Sequence, residues 1–404
     1  TFLYMANDLQ YLVRQHYQEG TEDQLFKTLT AFDLAGMVDI PDGTTKNLPY
    51  IQMISTGDYT KYTNQTLKDV KTGNDQIVIN TTPMVSFALD DIDVEEDYIK
   101  SSSEVTSNAS YQIKRRIDGD FFAQVSNAKW KYDANGFGRN TTLTSLSPIT
   151  LAPGGSQNIS TTYGKAKAGL TNTGVNGGKL ALCVDDFAIA DLTTLGMETN
   201  VQGVADVSYT RGFGGMFGGM KTYGVSTLYA TTTLDLATNP TAGDYVDLQG
   251  VRFTFVAAIG TAGDVLIGVS ADASCQNLVA AVNAAAGAGS TYTDISSQDR
   301  ALLEGLTATD GTNLATFVSK NGAILARSSM TNAANDFAVQ VIYHVIMEKG
   351  AIKMAFKGVK AESAREPLKL VTNYHIYARY GFKVPELSKS RMCVIPVVSL
   401  AAEA

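Results

Sequence analysis

This chain is poor in the residues that usually carry chemistry. Its 404 residues include three cysteines, three histidines and one tryptophan. Cys183, Cys275 and Cys393 are widely separated and sit in apolar or helical contexts. A disulfide framework needs dense, even cysteines, so a reducing compartment is the better fit. His16, His344 and His375 are equally scattered, and no H-x-x-x-H, C-x-x-C or G-x-S-x-G occurs. Metal, redox and serine-nucleophile chemistry therefore have no local support. His344 lies in an apolar, strand-like run and reads as a satisfied core residue. No catalytic, cofactor-binding or metal-ligating residue is assigned, no cofactor is expected, and the chain reads as a non-enzyme. Long apolar runs are lacking too: the longest, near Ile395 to Ala402, is far too short to span a bilayer. The first residues lack the basic-then-apolar order of a secretory signal. A start at Thr1 rather than Met reads as a processed or trimmed product, with Met5 as an alternative original start.

What is present is an ordinary globular composition. Apolar residues make up 44%, which excludes wholesale disorder, and the length allows two or three domains with their own cores. The formal charge of −8 argues against a protein whose main task is gripping nucleic acid through its phosphates. It is compatible with a protein that encloses nucleic acid without sticking to it. Sequons at Asn64, Asn80, Asn108, Asn140 and Asn158 are what chance produces in a chain rich in Asn and Thr.

The most informative stretch runs from Met84 to Trp130. It opens as an alternating strand, MVSFALDD, crosses a dense acidic patch (Asp90, Asp91, Asp93, Glu95, Glu96, Asp97), and continues as a long polar helical pattern. Val105, Ala109, Ile113, Ile117, Phe121 and Val125 recur every four residues, a narrow apolar stripe on one helix face. Between Val94 and Ala128 only Gly119 interrupts it, so the helix could extend on the order of 50 Å. A flat tile spanning a shell needs such a rod; few compact enzymes do.

On either side the chain alternates between order and looseness. Residues 1–35 read as two short helices, the second opened by a capping box at Thr21 and Gln24. LPYIQMI and QIVIN are strands separated by about twenty polar residues, a protruding hairpin whose tip has no apolar anchors and needs a neighbour to order it. Residues 133–178 are loaded with Gly, Asn, Ser and Thr and carry little apolar pattern. KLALCVDD is a buried-type strand, DFAIADLTTLG a short helix, and a strand pair with the cluster GFGGMFGGM (212–220) leads to YGVSTLYAT. From about Asp235 to Asp336 charge thins and the pattern becomes self-contained. DYVDLQGVRFTFVAA is a hairpin turning at Gln249–Gly250, and DVLIGV is a further strand. ADASCQNLVAAVNAAAG is a helix capped by Ser270 and ending at Gly287. FAVQVIYHVIM and GAIKMAF follow as strands, then a charged link, then NYHIYARYGFKV and CVIPVVSL as closing strands.

Each candidate motif has a plain reading. Asp91-x-Asp93-x-Glu95 opens like a calcium loop, but Glu96 stands where glycine is required and Ser102 where the closing Glu belongs. Acids in the first turn of a long helix answer the dipole and its unpaired N–H groups. GFGGMFGGM is neither G-x-G-x-x-G, since Phe217 takes the last glycine's place, nor a lysine-bearing phosphate loop. It reads as a turn or a close backbone approach, for instance around a symmetry axis. Lys61, Lys68 and Lys71 on the hairpin are solubilising or meet a neighbour's acids; no activating base can be placed beside one for a covalent cross-link.

The order of these elements resembles that of the tailed-bacteriophage major capsid protein family, with its α+β Hong-Kong-97-like fold. The matching pieces are an arm, an extended hairpin, and SFALDDID running directly into a long helix. KLALCVDDFAIADL then leads through a Gly-rich segment to YGVSTLYAT, and Tyr380-Gly381-Phe382-Lys383-Val384 precedes the last strand. Together they cover about three quarters of the chain. The resemblance implies an N-terminal arm (1–45), an extended hairpin loop (46–82), and a peripheral domain with the spine helix 94–129 (83–178). An axial domain (179–235) follows, with an inserted small α/β domain (236–335) and return strands of the axial and peripheral domains (336–404). VDLQGVRFTFVAAIGTAGDVLIGV in the insertion is similar to a small module recurring in phage virion proteins. Such insertions project outward and either stabilise neighbouring subunits or display a binding face.

What the resemblance implies for function is a structural subunit of the virion. It would self-assemble into hexamers and pentamers of an icosahedral-type shell around packaged double-stranded DNA, bound without sequence specificity. Scaffold, portal or decoration proteins are the possible further partners; no membrane is involved, and assembly belongs in the host cytoplasm. One alternative is an encapsulin-like nanocompartment shell. Another is a β-rich virion or surface adhesin, which the long helix and the single Trp130 fit poorly.

Overall fold

The computed structural model describes residues 30–52, 54, 56, 58–62, 64, 69–90, 101–151, 158–185, 188–189, 216–365 and 371–398. Most of the expected N-terminal helices, the calcium-like stretch from Asp91, helix residues 94–100, most of the short helix after Asp186 and residues 212–215 of the glycine cluster lie outside the described residues. The chain folds as two compact units: residues 1–114 with 349–391, and residues 115–348 with 392–404.

The first unit begins with helix α1 (Thr30–Leu34), which buries Ala31 and Leu34 and sets Phe32 edge-on against Phe356 at 4.9 Å. Strand β1 (Gly36–Met37) pairs parallel with β19 (Lys353–Arg365), which pairs antiparallel with β20 (Val371–Lys383); β4 (Met84–Asp90) closes the order β1-β19-β20-β4. In β4 the half-buried Val85 and Phe87 alternate with exposed Met84, Ser86 and Ala88, as a one-sided strand requires. The expected charged link after GAIKMAF is instead strand: β19 continues through KGVKAESAR to Arg365, after a register shift between Phe356 and Val359. Past that bulge Val359 and Ala361 turn inward while Lys360 and Glu362 take the other face. The charges read as a link are one side of a pleat. Helix α6 (Glu386–Lys389) follows β20.

The expected hairpin is present. β2 (Thr45–Ile51) and β3 (Thr72–Val78) pair antiparallel from Thr45↔Val78 to Ile51↔Thr72. Its base is seated by Ile40, Ile77, Ile79 and Ala355, with Val38 and Leu48 packed alongside.

The long helix, α2, spans Ser101–Ala123 and tightens into a 3-10 turn over Gln124–Asn127. It ends before the expected Ala128, which is already extended and leads to a strand at Trp130. The four-residue stripe is real: Ala109, Ile113, Ile117, Phe121 and Val125 are all buried. Gly119, the one interruption, lets a chain segment approach; a Cβ there would lie 2.5 Å from the Lys320 carbonyl oxygen.

The second unit is built on an eleven-stranded sheet. Its strands are β5 (Trp130–Asp133), β6 (Gly136–Arg139), β7 (Leu180–Val184), β8 (Met216–Phe217), β9 (Met220–Gly224) and β10 (Ala230–Leu236). The later ones are β14 (Leu306–Gly311), β15 (Leu314–Ser319), β17 (Asn335–Phe337), β18 (Val341–Glu348) and β21 (Met392–Val398). The main path runs β14-β15-β10-β18-β21-β5-β6, and β7 links β18 to β9. LALCV in β7 is wholly buried, and β18 and β21 nearly so, the signature of central strands covered on both faces.

One cover is a helix where the sequence reads as loose. Within 133–178, α3 (Ile159–Asn172) is capped by Asn158, whose side chain accepts from the Thr161 N–H at 2.8 Å. Ile159, Tyr163, Ala166 and Leu170 face the sheet and join Leu182, Ile346, Cys393 and Ile395 in one core. Glycine and threonine hide this periodicity, yet Gly169 has a packing reason: a Cβ there would stand 2.3 Å from the Phe137 ring.

A second sheet of the unit has the order β13-β12-β11-β16, with β11 (Tyr245–Leu248), β12 (Val251–Val256), β13 (Asp264–Leu266) and β16 (Ala326–Ser329). Gln249 and Gly250 make the expected turn with both φ positive, 53° and 83°. Helix α4 (Ala271–Asn283) takes Ser270 as its cap, as expected, but stops at a left-handed Ala284 rather than at Gly287. A short α5 (Ser297–Leu302) follows. The stretch 236–335 is not self-contained: β15 pairs along β10 from Ala230↔Ser319 to Asp235↔Leu314, and β14 extends that sheet. Ala315 and Phe317 on β15 are buried and belong to the larger sheet's core side.

Candidate functional site

The outer half of the hairpin departs most from an ordinary surface. Ile51, Ile54, Tyr59, Tyr62 and Val70 are all more than half exposed, Tyr62 at 88%. The tip therefore does carry apolar anchors, contrary to the reading of the stretch between the two strands as polar and without them; lysines, aspartates and threonines between them disguise the pattern. A two-stranded ribbon is marginal alone. Here its base is fixed by the Ile40–Ile77–Ile79 cluster while its far part offers apolar side chains to solvent. Lys61 lies 4.9 Å from the Tyr62 ring centroid, Lys71 is exposed, and Lys68 is outside the described residues.

The base also explains one residue of the Tyr380–Val384 segment. A Cβ on Gly381 would sit 1.9 Å from the Val78 carbonyl oxygen, so only glycine lets the chain leaving β3 cross β20 this closely. Thr81 and Tyr380 then exchange backbone hydrogen bonds, each 3.1 Å. Asp75 on β3 accepts from the Glu386 N–H at 2.8 Å and lies 3.9 Å from Lys383.

The buried polar centre of the second unit is His344. It is 1% exposed on β18, with Nδ1 2.6 Å from the Tyr163 hydroxyl and Nε2 3.1 Å from Asp185 Oδ1. Burial raises the pKa of Asp185, but His344 and the Ala188 N–H lower it more, and the carboxyl is held below its ordinary range. This is the buried core histidine the sequence suggests: Tyr163 on α3 meets Nδ1, while Nε2 stands within ion-pair distance of Asp185, just past β7, without a hydrogen-bond geometry, and no local pattern reveals either partner. His375 meets Ser86 Oγ at 2.8 Å across β20 and β4, and His16 lies outside the described residues.

The three cysteines are buried and unpaired with one another. Burial pushes the Cys183 and Cys393 thiols up, and burial with Asp310 beside it pushes Cys275 up to about 12. Thiolate chemistry is thus disfavoured at all three. No group of three or more metal-ligating side chains occurs among the described residues, and none of their helices is long and apolar enough to cross a membrane. The described end of the glycine cluster is a tight turn: Phe217 pairs with Met220 across Gly218 and Gly219, at φ 55° and 77°.

No protein-family model matches the sequence, and no curated protein matches it either. Solved structures do. The chain is similar to the mature capsid of bacteriophage PhiM1, at 11% identity over 92% of this chain and 88% of that one, with a TM-score of 0.48. It is similar to the capsid of cyanophage P-SCSP1u at 12% identity, covering 92% and 89%, with a TM-score of 0.44. A structure from Mycobacterium phage Ogopogo is similar at 8% identity, covering 92% of both chains, with a TM-score of 0.45.

Proposed function

We propose that this chain is a structural shell subunit, a phage major capsid protein of the Hong-Kong-97-like kind. It assembles into hexamers and pentamers of an icosahedral-type shell that encloses double-stranded DNA, and its place is the virion. The observation that carries this reading is the hairpin Thr45–Val78: seated at its base, apolar at its far end, and lacking within its own unit any described surface to receive those side chains. Segments that a monomer cannot order gain their partners at subunit interfaces. The strand β4 followed by the long helix, and the closing strands β18 to β21, keep the order that the family resemblance implies.

In this reading the hairpin lies over an adjacent copy, the arm before residue 46 clamps another, and the helix from Ser101 braces the tile. The segment ending in the Gly218–Gly219 turn approaches the capsomer axis. Scaffold, portal or decoration proteins meet the assembled surface.

Electron microscopy of the purified chain, with nucleic acid measured on the same fractions, tests the proposal. Closed shells or capsomer rings are expected, with DNA inside native particles. Shells that hold a protein cargo instead would make it a nanocompartment. A stable monomer at high concentration, or extended fibres, would overturn the shell reading.

A further inference from the structure

From Arg115 onward, helix α2 is held on two sides. Its apolar stripe, Ile117, Phe121 and Val125, is buried. At the pitch of an α-helix, Arg115 and Gly119 lie on the side away from Ile117 and Phe121, the side a surface helix gives to water. Here that side is occupied by the open end of the β14–β15 hairpin, within the same unit. Gly119 meets the Lys320 carbonyl so closely that a Cβ would stand 2.5 Å from its oxygen. Arg115 Nη2 donates to the Asn321 carbonyl at 3.4 Å. Asp120 lies 3.3 Å from Arg116 Nε, one turn before it, and 3.2 Å from Lys320 Nζ. Arg116 also comes within 4.0 Å of Glu304. The gripping segment is itself tied down. The Lys320 N–H donates to the Gly305 carbonyl at 3.0 Å, and Asn321 Nδ2 donates to the Glu304 carbonyl at 2.6 Å. Gly322 is left-handed, at φ 94°, and a Cβ on it would be 1.9 Å from the Ser226 carbonyl oxygen. Only glycine fits there.

We propose that the stretch 236–335 braces α2: Glu304–Gly305 and Lys320–Gly322 form a strap that fixes the course of the helix from Arg115 to Ala123. This gives the stretch a task inside its own subunit, distinct from stabilising neighbours or displaying a binding face. That the braced helix stiffens a shell tile rests on the capsid reading; the strap itself rests on the contacts around Gly119 and Asp120. The ion pairs are partly exposed and such pairs hold weakly alone. The backbone fit at Gly119 and Gly322 therefore carries the grip, and the charges set its position along the helix.

Hydrogen exchange read by mass spectrometry on the full chain tests the strap, comparing peptides from 115–127 and 303–322 with peptides from β18. Gly119→Ala comes first, because an unstrapped and a strapped helix predict opposite signs. Alanine favours a free helix interior and would slow exchange there. Under the strap it forces the Lys320 carbonyl away, and exchange in both peptides should rise roughly tenfold or more while β18 stays protected. Lys320→Gln should raise both about threefold at low salt, and less at about 1 M salt, where the pair with Asp120 is screened. Lys320→Arg should keep the protection of the unaltered chain. These two variants keep the test decisive if Gly119→Ala fails to fold. Slower or unchanged exchange in Gly119→Ala would overturn the proposal, and so would a loosened 303–322 beside an unchanged helix. The exchange is read on the purified chain whether or not it assembles, and shells are scored separately by microscopy. An intact strap in a chain that never forms shells would count against the capsid reading alone.

Discussion

Two sheet edges in this molecule are handled in opposite ways. β14 is an edge strand of the large sheet, and its outward backbone is sealed. The Asn283 side chain donates to the Ala308 carbonyl at 2.7 Å and accepts from the Ala308 N–H at 2.9 Å, so one amide stands in for a strand. The Leu306 N–H is satisfied by the Leu303 carbonyl at 3.0 Å. The β2–β3 ribbon receives no such treatment: among the described residues neither strand gains a third strand, and Ile51 and Val70 face solvent near its open end. Unpaired edges and exposed apolar side chains invite other chains. A chain that seals one edge with a side chain and leaves a ribbon bare has its association points built in, and the bare ribbon is where assembly should be most sensitive.

The largest effect is expected from removing the bare part. Replacing residues 54–69 by a short Gly-Ser turn should abolish shells in electron microscopy while leaving the unfolding transition in place, because Ile77, Ile79 and their partners remain. Intact shells from this variant would break the comparison. Next comes Gly381→Ala, which drives a Cβ into the Val78 carbonyl and must either push the ribbon's base off β20 or strain both. Overpacking of this kind costs roughly 3 kcal/mol. Denaturant unfolding should register it, and an unchanged midpoint would mean the close crossing does not hold the ribbon.

How much of this was legible in sequence depended on how residues encode their surroundings. The stripe from Ala109 to Val125 was readable because a helix buried along one narrow face leaves a strict four-residue repeat. The turn at Gln249–Gly250 and the cap at Ser270 were readable because backbone conformation selects those residue types locally. Helix α3 was missed because Gly169 answers to Phe137, a residue on another element, and its presence dilutes the helical signal. The β19 extension was missed because Lys360 and Glu362 mark an exposed strand face as readily as a link. The hairpin's anchors were overlooked for a related reason: apolar residues that wait for a partner have no partner in the sequence to be read against. The His344 centre needed Tyr163 and Asp185, 181 and 159 positions away, which no spacing rule joins.

A smaller effect tests the sealed unit from inside. With its folded pKa depressed, the Asp185 carboxylate contributes stability that is present above its unfolded value, near 4, and is lost as pH falls through the lower folded value. Asp185→Asn removes that dependence. Its denaturation midpoint should fall relative to the unaltered chain at pH 7, and the gap should narrow as the pH is lowered from 5 toward 3. A gap constant with pH would mean that the carboxylate's charge plays no part in holding His344.

The smallest expected change in stability, and the sharpest test of the comparison, is Asn283→Ala. Asn283 is itself exposed, so water can replace part of what its amide gives Ala308, and the loss should be about 1 kcal/mol. The consequence for association is of another kind. Without the amide, the Ala308 N–H and C=O form an open strand position beside Thr307 and Thr309, which are exposed and offer no charge to repel a second copy. Light scattering and thioflavin binding at rising concentration should then show off-pathway association that the unaltered chain lacks, with shells formed in lower yield. Restoring the amide one methylene farther out, as Asn283→Gln, should recover little, because the two hydrogen bonds to a single residue depend on the reach of the shorter side chain. If Asn283→Ala assembles as cleanly as the unaltered chain, helix α4 alone screens the edge by bulk, and the amide is a local stabiliser rather than a seal.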